Sequence, residues 1–280
     1  MAKYGIVVDS SCDLLSSDIQ IEGIDFTIVP LKIIVDKEEF VDDDSIDVNK
    51  MLKEMDAFKD ASKTACPSPG DFMEAFKKSK EVFCFTLTSA LSGTNNSANL
   101  AKAQLDEEDS SRQIHVCDTK STAGHMILCI NKTIECIQAG KSFSEIVAEI
   151  EEYNKSIQLV FTLGSYDNLI KTGRMSNFVG AIASTLNIRA VCRNTPEGEI
   201  QIVKKTRGQK VAYSALVDLM TNKKSLEHCD IYISHCDNIE AAETIKELIL
   251  NKANTANVHI RDCKGLTSFY AMRKGVLIGY

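Results

Sequence analysis

Apolar and polar positions alternate along this chain in two periods. Tyr4-Gly5-Ile6-Val7-Val8, Glu81-Val82-Phe83-Cys84-Phe85-Thr86-Leu87 and Gln113-Ile114-His115-Val116-Cys117 read as buried strands, and each ends in a hydroxyl-rich polar turn. Residues 97–105, 123–139 and 143–155 carry helical apolar spacing. Strand, polar turn and helix in repetition predict a parallel, doubly wound sheet with its ligand along one edge.

Between these units, Pro30 splits residues 26–35 into two strand-like runs. An acidic segment, 38–47, leads to a helix at 48–58; its Asp42-Asp43-Asp44 reads as a solvated loop or helix start without calcium-loop spacing. In Lys63-Thr64-Ala65-Cys66-Pro67-Ser68-Pro69-Gly70-Asp71-Phe72, Ser68 is the expected N-cap and Pro69 the first helical residue. Two prolines and a glycine stiffen this loop, so it can hold the Thr64 hydroxyl in one place.

The pattern changes after Leu163. A short helix closed by Gly173 is followed by an apolar, small-residue helix at 178–186. Strands are expected at 188–193 and 200–204 around Asn194-Thr195-Pro196-Glu197-Gly198, then a helix to 221. Further strands at 230–235 and 256–261 flank a helix at 239–252, and 275–280 reads as a terminal strand. At 280 residues the chain exceeds the usual single core. The reading is a two-domain α/β protein, 1–160 with the parallel doubly wound sheet and 161–280 with a mixed sheet.

Apolar content of 44% and charged content of 25% are ordinary for a globular chain, and the net charge of −7 argues against a nucleic-acid binder. No run reaches the length of a membrane-spanning helix, and the N-terminus enters a strand without signal-peptide features, so a cytoplasmic protein without stable membrane insertion is expected. Ten cysteines are scattered through apparent strands and helices, with Cys84, Cys117 and Cys129 as small buried hydrophobes. Neither Cys-x-x-Cys nor His-Glu-x-x-His occurs, so no metal site is expected; His125, after a strand end, is the histidine to watch.

Candidate chemistry gathers at Thr88-Ser89-Ala90-Leu91-Ser92-Gly93-Thr94-Asn95-Asn96-Ser97-Ala98. Hydroxyls and backbone N–H groups at a helix N-terminus favour an anion, and Gly93 permits close approach to the backbone. Gly-x-Ser-x-Gly, Ser-x-x-Lys, Gly-x-Gly-x-x-Gly and the Walker A spacing are absent. Ser92 could still serve as the nucleophile of an acyl hydrolase or transferase with a distant histidine, but binding of a carboxylate or phosphate is better supported than catalysis. Arg174, Lys205, Arg207 and Lys210 are either a solvated basic face or a patch that steers an acidic partner or a phosphorylated product.

Val8-Asp9-Ser10-Ser11-x-Asp13-Leu14, Val29-Pro30-Leu31, the Thr64 loop, Leu91-Ser92-Gly93-Thr94, Asp167-Asn168-Leu169 with Gly173-Arg174, and Thr206-Arg207-Gly208 together resemble the bacterial DegV family over nearly the whole chain. The resemblance implies one long-chain fatty acid in a tunnel near the domain junction. It further implies a carrier subunit of bacterial fatty acid kinase, which presents the acyl carboxylate to a separate ATP-dependent kinase subunit. No independent catalysis and no cofactor beyond the bound fatty acid would then be expected.

By motif, Thr64 and Ser92 would hydrogen-bond the carboxylate, with Thr94 and the Gly93 N–H as neighbours, while Arg174 and Arg207 would contact the kinase or the nascent phosphate. Family members commonly carry a histidine near the carboxylate in a C-terminal glycine-rich segment. This chain has Thr267-Ser268-Phe269-Tyr270-Ala271-Met272-Arg273-Lys274-Gly275 there, with Ser268, Tyr270 or Arg273 as possible replacements. A dry tunnel gains about 0.8 kcal/mol per buried CH₂. Phe161, Leu163, Ile170, Phe178, Val179, Ile182 and Leu186 are candidates to line it, although such spacing is more often plain core.

Overall fold

The computed structural model describes residues 2–58, 60–109, 111–175 and 188–280. In chain order the elements begin β1 (Ala2–Asp9), β2 (Ile24–Val29), β3 (Lys32–Val35), β4 (Glu38–Val41), α1 (Val48–Ala57), β5 (Lys63–Ala65), α2 (Pro69–Phe76) and β6 (Ser79–Thr86). Next come α3 (Thr94–Glu108), β7 (Gln113–Asp118), α4 (Gly124–Gln138), α5 (Phe143–Ser156), β8 (Leu159–Thr162) and α6 (Asp167–Lys171). The chain closes with β9 (Ile188–Asn194), β10 (Ile200–Arg207), α7 (Gln209–Lys223), β11 (Asp230–His235), α8 (Ile239–Leu250), β12 (Asn257–Asp262), α9 (Gly265–Ala271) and β13 (Val276–Gly279).

Strands β2-β1-β6-β7 form a wholly parallel sheet. Its central strands β1 and β6 carry continuous apolar runs because helices cover both faces. Ile6, Val8, Phe83 and Phe85 pack towards Met126 and Ile130 of α4 and Ile146 of α5. Their neighbours Val7, Val82 and Cys84 point the other way, onto Phe72 and Phe76 of α2 and Ala98 and Ala101 of α3. Pro30 ends β2, and the chain leaves for a separate antiparallel sheet, β4-β3-β5, so the two runs around Pro30 belong to different sheets.

The second large sheet, β10-β9-β8-β13-β11-β12, is mixed: its one parallel pair is β11 with β12. One face, with Val160, Val191, Ile231, Ile233 and Ile278, packs on α7 and α8. The other, with Leu159, Phe161, Cys192 and Leu277, joins Ile33 of the small sheet and Phe269 of α9. The α/β class and both sheet types are those expected. The helix expected at 178–186 lies outside the described residues. Among the described residues, no helix is long and apolar enough to cross a membrane.

The large sheets meet at a backbone contact. A Cβ built on Gly279 would lie 2.3 Å from the carbonyl carbon of Gly124, and one on Gly124 would lie 2.7 Å from the Tyr232 carbonyl oxygen. Only glycine fits either position, because the first turn of α4 rests directly on β13 and β11.

Candidate ligand-binding cavity

Between the carboxyl ends of the parallel sheet and the inner face of the mixed sheet lies a cavity of about 830 Å³, its mouth included. That is the position at which open α/β sheets take small ligands. Leu31, Leu87, Leu91, Leu163, Leu169 and Leu266 form much of its wall, together with Phe161 and Leu277 of the mixed sheet. Of the expected tunnel residues, Phe161 and Leu163 line it, Ile170 does not and its neighbour Leu169 does; Phe178, Val179, Ile182 and Leu186 lie outside the described residues.

Thr64 and Ser92 both line the cavity, the first from the small antiparallel sheet and the second from the turn after β6 of the parallel sheet. Thr64 stands on β5, opposite Ile33 of β3. The loop after it is locked by a reciprocal cap, in which the Asp71 N–H donates to Ser68 Oγ at 3.2 Å and the Ser68 N–H to Asp71 Oδ2 at 2.8 Å. Ser92 precedes α3, and its hydroxyl lies 2.9 Å from that of Thr94 and accepts from the Thr94 N–H at 3.3 Å. Thr94 is itself buried and is not among the lining residues. Gly93 is the N-cap with φ −76°, a conformation open to any residue, and a Cβ there would meet Cys66 Sγ at 3.5 Å in ordinary contact. Its glycine identity is therefore not required by backbone strain.

Of the three residues weighed for the absent C-terminal histidine, only Tyr270 reaches the cavity; its hydroxyl is 3.2 Å from Thr64 Oγ1. Ser268 is buried and donates to the Cys263 carbonyl, while Arg273 pairs with Asp237 and Asp56 at the surface. Arg174 also lines the cavity, with Nε donating to the Leu91 carbonyl at 3.2 Å and a terminal NH to the Thr172 carbonyl at 2.8 Å. It thereby ties the segment after α6 to the turn that carries Ser92. Arg207 is elsewhere, exposed at the end of β10.

Thr88, from the stretch singled out in the sequence, and further polar groups also line the cavity. Thr88 donates to the Gly198 carbonyl at 2.9 Å, and Asn194 donates to the Lys120 carbonyl at 3.2 Å, so the β9–β10 turn is fastened to the ends of β6 and β7. Ser121 Oγ and Thr267 Oγ1 are buried and, among the described residues, meet no hydrogen-bond partner of good geometry. Thr88 and Ser121 sit in hydroxyl-rich turns and so had a signal; Thr267, inside a helix, had none.

Asp9, Ser10 and Asp13, in the polar stretch that begins at the end of β1, do not line the cavity but support its wall. The Leu87 N–H donates to Asp9 Oδ2 at 2.6 Å, the Leu31 N–H to Ser10 Oγ at 3.1 Å, and the Leu266 N–H to Asp42 Oδ2 at 2.8 Å. Three wall leucines are thus pinned through their amides. Asp42, expected in a solvated run, is buried because it caps α9, accepting also from the Gly265 N–H at 2.7 Å. Asp13 accepts from the Lys264 N–H at 2.9 Å, with the hydroxyls of Thr267 and Ser234 beside it.

Burial raises Asp9 to about 6 against the hydrogen bonds from Ser11 and Leu87, and raises Asp13 to about 7 against that from Lys264. Asp42 is raised for the same reason. His125, buried in α4, shares a 2.8 Å hydrogen bond with Asn154 and does not line the cavity; burial lowers it to about 4.

The lining therefore offers hydroxyls and the Arg174 guanidinium to an anion, with a largely leucine wall for an apolar tail, while the Lys120 ammonium is paired with Asp118 at 2.7 Å. Glu199 is the one carboxylate among the described lining residues, which gives no cluster suited to a metal.

A family model described as "Uncharacterised protein, DegV family" matches residues 3–276. A DegV domain-containing protein of Streptococcus pyogenes is 38% identical over 277 residues, 99% of both chains. Among solved structures, the Streptococcus pneumoniae Fatty Acid Kinase (Fak) B3 protein loaded with linoleic acid is similar at TM-score 0.95 and 36% identity, with 99% of each chain covered. A DegV family protein from Eubacterium eligens loaded with heptadecanoic acid gives TM-score 0.92 and 33% identity, covering 99% of this chain and 98% of that one.

Proposed function

The chain belongs to the DegV family, and from that membership we propose that it binds a long-chain fatty acid and presents the carboxylate to a separate kinase subunit. The observation that carries the reading is the meeting, in one cavity, of a largely leucine wall with Thr64, Ser92, Tyr270 and Arg174. Thr64 and Ser92 hydrogen-bond the carboxylate, Tyr270 adds a third hydroxyl through its contact with Thr64, and Arg174 supplies the positive charge. The alkyl tail follows Leu31, Leu163, Leu169 and Leu266, where each CH₂ removed from water contributes about 0.8 kcal/mol.

Kinase presentation rests on the similar Fatty Acid Kinase (Fak) B3 protein and on the exposed basic residues Lys205, Arg207 and Lys210, which suit an acidic partner. Arg207 acts there in docking, and Arg174 next to the nascent phosphate. A serine hydrolase is the weaker reading. The described hydrogen bonds of Ser92 Oγ go to Thr94, and no histidine is among the described lining residues.

Native mass spectrometry of the purified chain, followed by denaturing extraction, tests the binding step: one fatty acid per chain is expected. A chain that yields no lipid and takes up none on addition would sink the reading. Presentation is tested by adding ATP and a bacterial fatty acid kinase subunit, with acyl-phosphate as the product, and Arg207→Glu lowering the rate without releasing the lipid.

A further inference from the structure

On the far side of the parallel sheet from α2 and α3, a second group of side chains stands apart from the cavity. The two-residue period of β7 places His115 and Cys117 on one face, and α5 lays Glu151 over them. His115 Nε2 and Glu151 Oε1 are 2.9 Å apart. Among the described residues these three bring their ligand atoms, imidazole nitrogen, thiol sulfur and carboxylate oxygen, within 4.8 Å of one another. We propose that His115, Cys117 and Glu151 form a binding site for a zinc-class divalent cation, held between the edge strand β7 and helix α5.

The donor set fixes the class of ion. One nitrogen, one sulfur and one oxygen suit borderline zinc better than magnesium or calcium, which take oxygen ligands. Zinc bonds of about 2.0 to 2.3 Å in a tetrahedron set the ligand atoms roughly 3.3 to 3.6 Å apart, so a closure of about an ångström completes the site. Water supplies the fourth ligand. The ion replaces the thiol proton of Cys117, which passes to solvent, and it separates the His115–Glu151 pair by entering between them.

Access and support are both present. Strand β7 is the edge of its sheet, and the side chains of His115 and Glu151 keep 20% and 42% of their surface exposed, while Cys117 forms the buried floor. Asn154, one turn along α5 from Glu151, directs its amide towards Cys117 Sγ at 3.7 Å and donates to the Asp118 carbonyl at 3.1 Å. Such outer partners orient the first ligands of metal sites. The chain gives no motif for the site because two ligands come from a strand and the third from a helix far along the sequence.

The test uses the untagged full chain in a Cys66→Ser background, since Cys66 is an exposed thiol. After treatment with a chelator, cobalt(II) is titrated in and the near-ultraviolet thiolate-to-cobalt absorption is followed, then reversed with zinc. One equivalent per chain is expected, with the absorption lost in Cys117→Ser and affinity at least tenfold weaker in His115→Gln and Glu151→Gln. The two outward variants keep the test open if the buried Cys117→Ser chain does not fold. No thiolate absorption, or absorption and affinity unchanged in His115→Gln and Glu151→Gln, overturns the proposal. Neither outcome bears on the fatty-acid reading, whose readout is bound lipid.

Discussion

In the proposed carboxylate site, the hydroxyls of Thr64 and Ser92 are held by neighbours, Tyr270 for the first and Thr94 for the second. A hydrogen bond to a charged partner contributes about 1.5 to 3 kcal/mol. Thr64→Val and Ser92→Ala are therefore each expected to weaken fatty-acid binding by roughly ten- to a hundredfold, read as Kd in a fluorescent fatty-acid displacement titration. Tyr270→Phe keeps the ring against Phe269 and removes only the hydroxyl, so a smaller loss is expected. Unchanged affinity in all three would move the carboxylate away from this end of the cavity.

The buried carboxyls make a separate residue-scale prediction, about stability. Asp9 and Asp13 rise from 3.8 to about 6 and about 7 in the folded chain. Below the unfolded value both states hold the protons. Between there and about 7 the folded state retains protons that the unfolded chain has released, so stability falls as pH rises through this window. Buried His125, lowered to about 4, acts in the opposite direction over the same range, so the test is the difference between variant and wild type. The urea midpoint of Asp13→Asn relative to wild type is expected to rise from pH 5 to pH 8, and a difference that stays constant between those pH values contradicts it.

At the scale of elements, the helix caps join local sequence to the cavity. Ser68→Ala removes the N-cap of α2 and should cost about 1 kcal/mol in a chemical denaturation curve, with a further loss of ligand affinity because the same loop seats Thr64. This cap was legible because Ser68 and Pro69 are adjacent, and its partner Asp71 is only three residues from Ser68. The strands β1 and β6 were legible because burial on both faces writes an apolar run, and β7 through Ile114, Val116 and Cys117 ahead of a polar turn.

Strands β4 and β5 were not legible, being three or four residues long with charged residues such as Glu38, Glu39 and Lys63. Asp42 was misread as solvated for a different reason. Its partner, the N-terminus of α9, lies 223 residues further along the chain, and no local pattern records such a pairing. Tyr270 was legible only as one of three candidates, and its contact with Thr64 decided among them.

At the scale of the whole molecule, the cavity exists because two sheets of different origin are fastened around it by the β9–β10 turn. Gly198 takes φ +87°, and a Cβ there would lie 2.1 Å from Thr88 Oγ1. Gly198→Ala is expected to break the Thr88 hydrogen bond, lower the melting temperature and reduce the lipid recovered by extraction. A variant with wild-type melting temperature and lipid content would show that the turn does not hold the cavity closed. The ends of the strands in the parallel sheet were legible as ligand-facing from sequence, whereas the opposite wall, drawn from β8, β13 and α9, required the tertiary arrangement.

The Gly124–Gly279 contact has a bearing on how cavity capacity can vary among related chains. With no side-chain atoms between α4 and β13, the spacing of the two large sheets is set there by backbone thickness alone. A single methyl at either glycine would act as a spacer and tilt one sheet on the other. The room available to an acyl chain can therefore be altered by a substitution that never touches the ligand.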